Sequence, residues 1–313
     1  MHHSKNNSTV IIVGTYNPTS FLNDQLNSIL DQKNTDIIIH VSDDCSDQNS
    51  NLENLKKISP PIIFWHRNQQ NLGFAKNFLF SLKNIDPKYN FYAFSDQDDI
   101  WYEDKISRAI NEIKKTPYDK PALYCSRTAI ADKNCDSIIG YSPLFSKKTS
   151  FQNALVQSIG GGNTMVFNLA ARNLIVQSIE NLGNREIVSH DWWCYQIVSG
   201  ANGVVHYDPE PRIMYRQHGN NLVGSNNGWF DRFFRIKGVF SGKFKRWNDL
   251  NCDALQCNRT LLTDENKKIL DDFIFYRKSS CVKRVFFLKR SGIYRQTFLG
   301  NIGLIVSAIF NKV

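Results

Sequence analysis

The sequence lacks the features of a disulfide-rich, zinc-binding or membrane-spanning protein. Its seven cysteines are odd in number and no two stand in C-x-x-C spacing, which argues against a zinc site or a secreted disulfide framework. The first nine residues are polar and contain no apolar segment typical of a signal peptide. The final apolar stretch, about twelve residues long, is shorter than the roughly 20 residues that cross a bilayer. These absences lead us to expect a protein of the reducing cytoplasm.

Positive charge is concentrated toward the C-terminal end of the chain. The formal net charge is +9, yet residues 1–228 contain 21 basic and 22 acidic side chains. Residues 229–313 contain 17 lysines and arginines against 7 acidic residues. We therefore predict a nearly neutral body followed by a basic extension. Such a basic surface binds an anionic partner, which is either nucleic acid or anionic lipid headgroups.

Strand-like and helix-like patterns alternate through the first 120 residues. The predicted strands are 9–15, 36–42, 62–65 and 91–95, and the predicted helices are 20–32, 52–58, 74–85 and 103–115. This alternation predicts an α/β fold with a mostly parallel sheet and right-handed crossovers.

The pattern is less regular beyond residue 121. The predicted strands there are 122–125, 164–167, 204–207 and 212–215, and the predicted helices are 168–182 and 190–198. A stretch rich in Gly, Asn and Ser at 219–228 predicts a flexible loop or hinge, followed by a mostly helical segment.

Polar residues follow the first three predicted strands, where ligands bind in open α/β sheets. The first strand ends in Thr-Tyr-Asn-Pro, which is either part of a ligand site or a plain turn. The second ends in three carboxylates within five positions. The third leads to a glycine that opens a helix and a lysine one turn later, an arrangement suited to an anion. The residues concerned are Thr15, Tyr16, Asn17, Asp43, Asp44, Asp47, Asn71, Gly73 and Lys76.

The strongest signal follows the fourth strand. Asp96, Asp98 and Asp99 place three carboxylates within four residues, where they repel one another unless a cation shares the site. Oxygen-rich clusters of this kind suit Mg²⁺ or Mn²⁺, which also bridge to phosphate oxygens. A helix N-terminus would account for only one or two of these acids.

The order TYN, DDCSD, NLGFAKN and SDQDDIW resembles family-2 glycosyltransferases of the GT-A fold, in particular the rhamnosyltransferase-like branch. The resemblance covers about the first two-thirds of the chain. It implies a GT-A, Rossmann-like catalytic domain at 1–228, with a nucleotide-sugar half at about 1–120 and an acceptor half at about 121–228. Residues 229–313 then form the basic, mostly helical extension.

The resemblance also implies an activity. We expect inverting transfer of a sugar from a nucleotide diphosphate donor to a lipid-linked or polysaccharide acceptor, in cell-surface glycan synthesis. Rhamnose from dTDP-rhamnose is the preferred donor, and a hexose or N-acetylhexosamine carried by UDP is the alternative. The cofactor implied is a divalent cation, Mn²⁺ or Mg²⁺.

The donor-side roles are carried over from the matching motifs. The resemblance implies that Asp44, with Asp43 beside it, binds the pyrimidine base, that Asp96 lies near the ribose and that Asp98 ligates the metal. It further assigns nucleotide-sugar binding to the neighbouring residues Thr15, Tyr16, Asn17, Asn71, Gly73, Lys76 and Gln97.

Later motifs extend the resemblance to the acceptor half. Ser-His-Asp-Trp-Trp resembles the catalytic-base motif, with His190 in place of the usual glutamate and Asp191 as the base. In Tyr-Arg-Gln-His, Arg216 could neutralise the diphosphate and His218 could complete the metal shell. The acceptor side is assigned to Gly161, Gly162, Asn163, Trp192 and Trp193, although core packing explains the two tryptophans equally well.

The basic extension mixes aromatic and aliphatic residues with Lys and Arg. This composition suits amphipathic helices that lie in the headgroup plane of an anionic membrane, and a solvated helical cap is the alternative. We therefore expect peripheral attachment to the inner face of the cytoplasmic membrane. A nucleic-acid-binding protein is the non-enzymatic alternative, but no zinc-finger or RRM signature accompanies the basic residues, so nucleic acid is not an expected partner.

Overall fold

The computed structural model describes residues 7–47, 52–58, 60–218 and 242–313. The predicted hinge at 219–228 and the first part of the basic extension, residues 229–241, lie outside the described residues.

The described strands and helices follow the chain in this order. The strands are β1 Ser8–Thr15, β2 Asp36–Asp43, β3 Ile63–Arg67, β4 Phe91–Ser95, β5 Ile100–Trp101, β6 Ala122–Ser126, β7 Ala129–Ala131, β8 Ile138–Tyr141, β9 Val166–Asn168, β10 Val204–Asp208 and β11 Ile213–Arg216. The helices are α1 Phe21–Leu30, α2 Leu52–Ile58, α3 Phe74–Asn84, α4 Lys105–Ile113, α5 Phe151–Ala154, α6 Leu169–Glu180, α7 His190–Gly200, α8 Lys243–Cys257, α9 Asp264–Arg277, α10 Cys281–Arg290 and α11 Phe298–Ile309.

A seven-stranded sheet, in the order β10-β6-β9-β4-β1-β2-β3, forms the centre of the molecule. Its strands are parallel except β9, which runs antiparallel to both β4 and β6. Residues 10–13 in β1 are a β-branched run that is fully buried, as expected for a strand covered by helices on both faces. The predicted mostly parallel α/β fold is confirmed. The predicted strand at 164–167 starts later, because Gly162–Thr164 form a 3-10 turn.

A second sheet of four short strands, in the order β5-β11-β7-β8, lies beside the main one. Three of these strands were not predicted, since two to four residues are too few to show a periodic pattern. β11 pairs antiparallel with β5, with Met214 opposite Ile100 and Ile213 opposite Trp101. This pairing brings the chain back over the loop that joins β4 to β5.

The C-terminal helices share a hydrophobic core with the sheet domain. Leu255, Leu262 and Leu270 belong to the same buried cluster as Trp193 in α7. The backbone N–H of Thr263 donates to the carbonyl of Gly200 at 3.1 Å. The described part of the extension is helical, as predicted, and it is packed against the body. Among the described helices, none is both long and apolar enough to cross a membrane.

Candidate active site

The carboxyl ends of β1 and β2 meet at Asp43. Parallel pairing sets Thr15 opposite this residue, and the Thr15 hydroxyl donates to Asp43 Oδ1 at 3.1 Å. The Ser46 amide donates to Asp43 Oδ2 at 3.1 Å, and the Arg67 Nε atom lies 3.7 Å from the same oxygen. The buried carboxylate therefore joins the ends of three strands.

Asp44 holds the loop that precedes α3. Its carboxylate accepts hydrogen bonds from the backbone N–H groups of Leu72 and Gly73, each at 2.8 Å, and from the Asn68 side chain at 3.1 Å. The Asn71 amide donates to the Asp44 carbonyl at 3.1 Å. Gly73 has a φ of 79°, which a side chain would strain. Asp44 thus orders the Asn-Leu-Gly loop, and its predicted contact with a base stays a prediction.

A buried amide network supports this loop from below. Asn77 accepts from the Ser42 hydroxyl at 2.6 Å and from Asn68 at 2.9 Å, and it donates to the Ser42 carbonyl at 2.9 Å. Lys76, one residue earlier on α3, is exposed. Neither Asn68 nor Asn77 was predicted as a site residue, although Asn77 ends the Asn-Leu-Gly-Phe-Ala-Lys-Asn motif and Asn68 lies three residues before it.

The loop after β1 is bound to the acidic loop after β4. The Tyr16 amide donates to Gln97 Oε1 at 2.9 Å, and Gln97 Nε2 donates back to the Tyr16 carbonyl at 3.2 Å. Asn17 makes a similar reciprocal pair with Asp47, and its amide donates to the Ser46 hydroxyl at 2.8 Å. Residues predicted to bind the nucleotide sugar thus lie together at one edge of the sheet.

Asp98 and His218 meet because of the β5–β11 pairing. His218 Nε2 lies 2.9 Å from Asp98 Oδ2, and both side chains are partly accessible. The register of β11 on β5, continued beyond Met214 and Ile100, carries the chain back along the acidic loop. The two residues predicted as metal ligands therefore lie in direct contact.

Asp99 points away from this pair, into the protein. Its carboxylate accepts from the Asn163 side chain at 2.6 Å and from the Arg216 amide at 3.3 Å. Burial, followed by repulsion from Asp96 and Asp98, raises the pKa of Asp99 well above its ordinary value. Asp99 therefore joins the acidic loop to the acceptor-side loop, which gives Asn163 a positioning role that the sequence did not predict.

Asp96 is close enough to Asp98 and to Asp191 for both charges to affect its protonation. Burial, followed by repulsion from Asp98 and Asp191, raises the pKa of Asp96 to about 7, whereas the nearby Lys105 lowers it. The Lys105 side chain is fully buried, with its ammonium nitrogen 3.3 Å from the centre of the Trp101 ring. Burial lowers the pKa of Lys105 well below its ordinary value, although Asp99 and Asp96 oppose that shift.

Arg216 has a structural position rather than the predicted place at a diphosphate. Its guanidinium donates to the carbonyls of Asp98 at 2.8 Å and Lys133 at 2.7 Å, and to the Asp24 carboxylate at 3.2 Å. The residue is 1% exposed and packs over the Phe21 ring. The prediction that Arg216 neutralises the diphosphate is corrected, because its N–H groups bond protein acceptors and bind β11 to the acidic loop.

Asp191 lies in the first turn of α7, facing the acidic loop from the acceptor side. Its carboxylate accepts a hydrogen bond from the Ser158 hydroxyl at 3.2 Å. Its charge contributes to the raised pKa of Asp96, which indicates that the two carboxylates are close. A partly exposed carboxylate in this position can accept a proton from a bound hydroxyl group.

His190 occupies an aromatic cage directly before Asp191. Its ring stacks on Phe78 at 4.3 Å between centroids and meets Phe94 and Phe74 edge-on. A Cβ atom added to Gly162 would lie 2.0 Å from His190 Nε2, so this imidazole requires glycine at the acceptor-side loop. Burial lowers the pKa of His190 to about 4, although Asp191 opposes the shift.

The remaining acceptor-side predictions divide between loop and core. The Gly161 carbonyl accepts from the Thr164 hydroxyl at 2.8 Å, which closes the turn at 162–164. Trp192 and Trp193 are buried, and their indole N–H groups donate to the Ala154 carbonyl and the Ser178 hydroxyl. The assignment of the two tryptophans to the acceptor side is therefore corrected, because both belong to the core.

Among the residues that the structure describes, no group of three or more metal-ligating side chains is gathered at one point. Asp98 and His218 form a carboxylate–imidazole pair, partly open to solvent. Such a pair suits Mg²⁺ or Mn²⁺ in a site where phosphate oxygens and water supply the other ligands. The residues present therefore fit a cation that binds together with a diphosphate.

The fold and the gathered strand-end residues define the class of protein as a nucleotide-sugar glycosyltransferase with the GT-A fold. The sequence profile described as Glycosyl transferase family 2 matches residues 10–164. The chain belongs to this family.

Two relatives agree with this assignment, and a solved structure shares the fold. The chain is 32% identical over 250 residues to the dTDP-rhamnosyl transferase RfbG of Shigella flexneri. The aligned region covers 75% of this chain and 81% of the relative. It is 24% identical to an uncharacterized glycosyltransferase of Haemophilus influenzae, over 69% of this chain and 68% of that protein. The crystal structure of S. aureus TarS 1-349 in complex with UDP-GlcNAc has a similar fold. The two structures superpose with a TM-score of 0.51 at 14% sequence identity. The superposition covers 97% of this chain and 89% of that one.

Proposed function

We propose that this chain transfers rhamnose from dTDP-rhamnose to a lipid-linked or polysaccharide acceptor, with inversion at the anomeric carbon. The observation that carries the choice of donor is the similarity to the Shigella dTDP-rhamnosyl transferase, which extends over most of both chains. The arrangement of carboxylates at the strand ends supports the chemistry, because the charges of both Asp98 and Asp191 raise the pKa of Asp96, so the proposed metal ligand and the proposed base belong to one acidic cluster.

On the donor side, we assign the nucleotide to the loops held by Asp43 and Asp44. These carboxylates fix the ends of β1, β2 and β3 and the loop before α3. The positive end of that helix, with the exposed Lys76 in its first turn, favours an anion. A divalent cation held by Asp98 and His218 would stabilise negative charge on the leaving diphosphate.

On the acceptor side, we assign the general base to Asp191. As the acceptor oxygen attacks the anomeric carbon from the face opposite the diphosphate, its proton passes to the Asp191 carboxylate. The Ser158 hydroxyl bonds one carboxylate oxygen and orients the side chain. The caged imidazole of His190 fixes the start of α7 and the Gly162 loop beside it.

The basic C-terminal extension supports a second part of the proposal. With 17 basic and 7 acidic residues, the segment 229–313 suits attachment to anionic headgroups. We assign the protein to the inner face of the cytoplasmic membrane, where a nucleotide sugar and a lipid-linked acceptor meet.

A donor panel tests the proposal. The purified full-length chain is incubated with dTDP-rhamnose, UDP-glucose, UDP-galactose and UDP-GlcNAc, with Mg²⁺, with Mn²⁺ or with EDTA, and nucleotide release is measured. We expect hydrolysis of dTDP-rhamnose that depends on the cation. Preferential turnover of a UDP-sugar would overturn the choice of rhamnose while leaving the enzyme class intact.

A pair of variants tests the metal site. Asp98→Asn keeps the shape of the side chain but weakens a metal ligand, so nucleotide release should fall by roughly 10²-fold or more. Asp119→Asn makes the same chemical change at an exposed position between α4 and β6 and should have no effect. Release that survives both EDTA and the Asp98 substitution would show that Asp98 holds no essential cation.

A further inference from the structure

Helix α11 presents an apolar face that the described residues leave exposed. Its inner side is buried through Leu304 and Ala308. On its outer side, apolar side chains recur at intervals of three and four residues, the spacing of one helical face. The apolar residues on this side, each between 41% and 78% exposed, are Phe298, Leu299, Ile302, Ile305, Ile309 and Phe310. We call this set the α11 face.

The charges around this face have one sign. Residues 281–313 contain six lysines and arginines and no aspartate or glutamate. On α10, Lys283, Lys289 and Arg290 are exposed. Arg284 donates to the carbonyls of Ala308 at 2.6 Å and Ile309 at 3.3 Å, so even the negative end of α11 is neutralised by a cation. An apolar face on a segment whose charged residues are all basic is complementary to an anionic lipid surface.

The dimensions and charges decide between possible occupants. Twelve residues of helix extend about 18 Å, well short of the roughly 30 Å hydrocarbon core, so α11 can lie in the bilayer interface but cannot cross it. A second copy of the chain docked on the same face would bring two wholly basic segments together, which electrostatic repulsion disfavours.

The segment before α11 connects this face to the acceptor side. The Gln296 amide donates to the Gln157 side chain at 2.8 Å, and the Tyr294 carbonyl accepts from Asn153 at 2.9 Å. Asn153 and Gln157 belong to the stretch that leads into Ser158, the hydrogen-bond partner of the proposed base. A surface that holds α11 therefore also positions the acceptor half of the site.

We propose that the α11 face inserts into the interface of an anionic bilayer, with the basic residues of α10 in contact with the lipid headgroups. The aromatic and aliphatic side chains enter the boundary between headgroups and acyl chains, as in other interfacial helices. This inference rests on the membrane attachment in the proposed function and names the face of the extension that makes the contact.

Vesicle co-sedimentation of the full-length chain tests this inference. We expect binding to vesicles of mixed phosphatidylglycerol and phosphatidylcholine, and little binding to phosphatidylcholine alone. The double variant Ile302→Asp/Ile305→Asp should weaken binding by at least about tenfold, because it removes two inserted side chains and adds two negative charges. Ile302→Trp should preserve binding, since tryptophan is favoured at the bilayer interface.

The matched control is Ile139→Asp/Leu144→Asp. These two side chains, on and after β8, are exposed like Ile302 and Ile305, so their replacement changes apolar content and charge equally. Wild-type vesicle binding by the α11 double variant, or equal loss in the control, would overturn the inference. The inference would also be overturned if the wild-type chain bound no vesicles but formed a dimer that the α11 double variant does not form. Nucleotide release from dTDP-rhamnose without vesicles should be unchanged in both variants, so failure of the membrane contact and failure of the proposed sugar transfer are separate results.

Discussion

Replacing Gly162 by alanine should destabilise the loop beside the proposed base. The new Cβ atom would lie 2.0 Å from Nε2 and 2.8 Å from Cε1 of His190, far inside van der Waals contact. The imidazole cannot easily move aside, because it is stacked on Phe78 and enclosed by Phe94. The loop must therefore shift, or the ring must leave its cage.

The magnitude follows from two contributions. Forcing an extra methyl group into a packed interior costs about 1–3 kcal/mol of unfolding free energy. Asn163 follows Gly162 directly and donates to Asp99 at 2.6 Å. If the loop shifts enough to lengthen this bond, a further loss of about 1.5–3 kcal/mol is expected, because the acceptor is a carboxylate.

The assay is guanidinium denaturation followed by circular dichroism. Gly162→Ala, His190→Ala and the double variant form a cycle. Once the ring is removed, the methyl group has space. The double variant should therefore lose less unfolding free energy than the two single variants together, by about 1–3 kcal/mol. Gly303→Ala is the matched control. A Cβ there meets nothing within 4 Å, and alanine should stabilise helix α11 by about 0.5–1 kcal/mol.

Two results would refute this reasoning. Wild-type stability of Gly162→Ala would mean that the loop is not packed against the imidazole. Additive losses in the double variant would mean that Gly162 and His190 act independently.

Three further outcomes are expected. Asp191→Asn should leave nucleotide-sugar affinity in calorimetry nearly unchanged and lower kcat by roughly 10²-fold; weakened affinity with normal kcat would place it on the donor side instead. Arg216→Lys should lower the unfolding free energy in denaturation by about 1–3 kcal/mol, because an ammonium group cannot join the same three acceptors. Folding keeps His190 neutral, with its pKa lowered from 6.5 to about 4, so wild-type stability should fall as pH drops between these values. His190→Gln should reduce that fall by about 3 kcal/mol, and parallel pH profiles of the two proteins would contradict the assignment.

The donor side was predictable because its information is local. β-branched runs give the strands β1 and β2, an aromatic run gives β4, and a parallel sheet necessarily brings their carboxyl ends to one edge. Residues at the ends of those strands or directly after them, such as Thr15, Asp43 and Asp96, could therefore be placed together from the sequence. Their contacts follow from strand pairing, as the hydrogen bond between Thr15 and Asp43 illustrates.

The acceptor side was less predictable because long-range pairing decides it. β5 has two residues, and no periodic pattern in them could reveal its pairing with β11, more than a hundred positions later. That pairing places Arg216 under the acidic loop. The tryptophans show a second limit. An aromatic pair beside the proposed base is equally consistent with sugar stacking and core packing, and only the burial of both side chains on α7 decides between them.

The acidic loop places three carboxylates within four residues. Each one faces a different environment. Asp99 points inward to the Asn163 amide, Asp98 points outward to His218, and Asp96 lies near the buried Lys105. Protein donors and a buried amine thus offset much of the repulsion that the sequence predicts. The loop should therefore keep its shape in EDTA. Loss of turnover in EDTA or in Asp98→Asn would then report on the chemistry of the diphosphate rather than on unfolding.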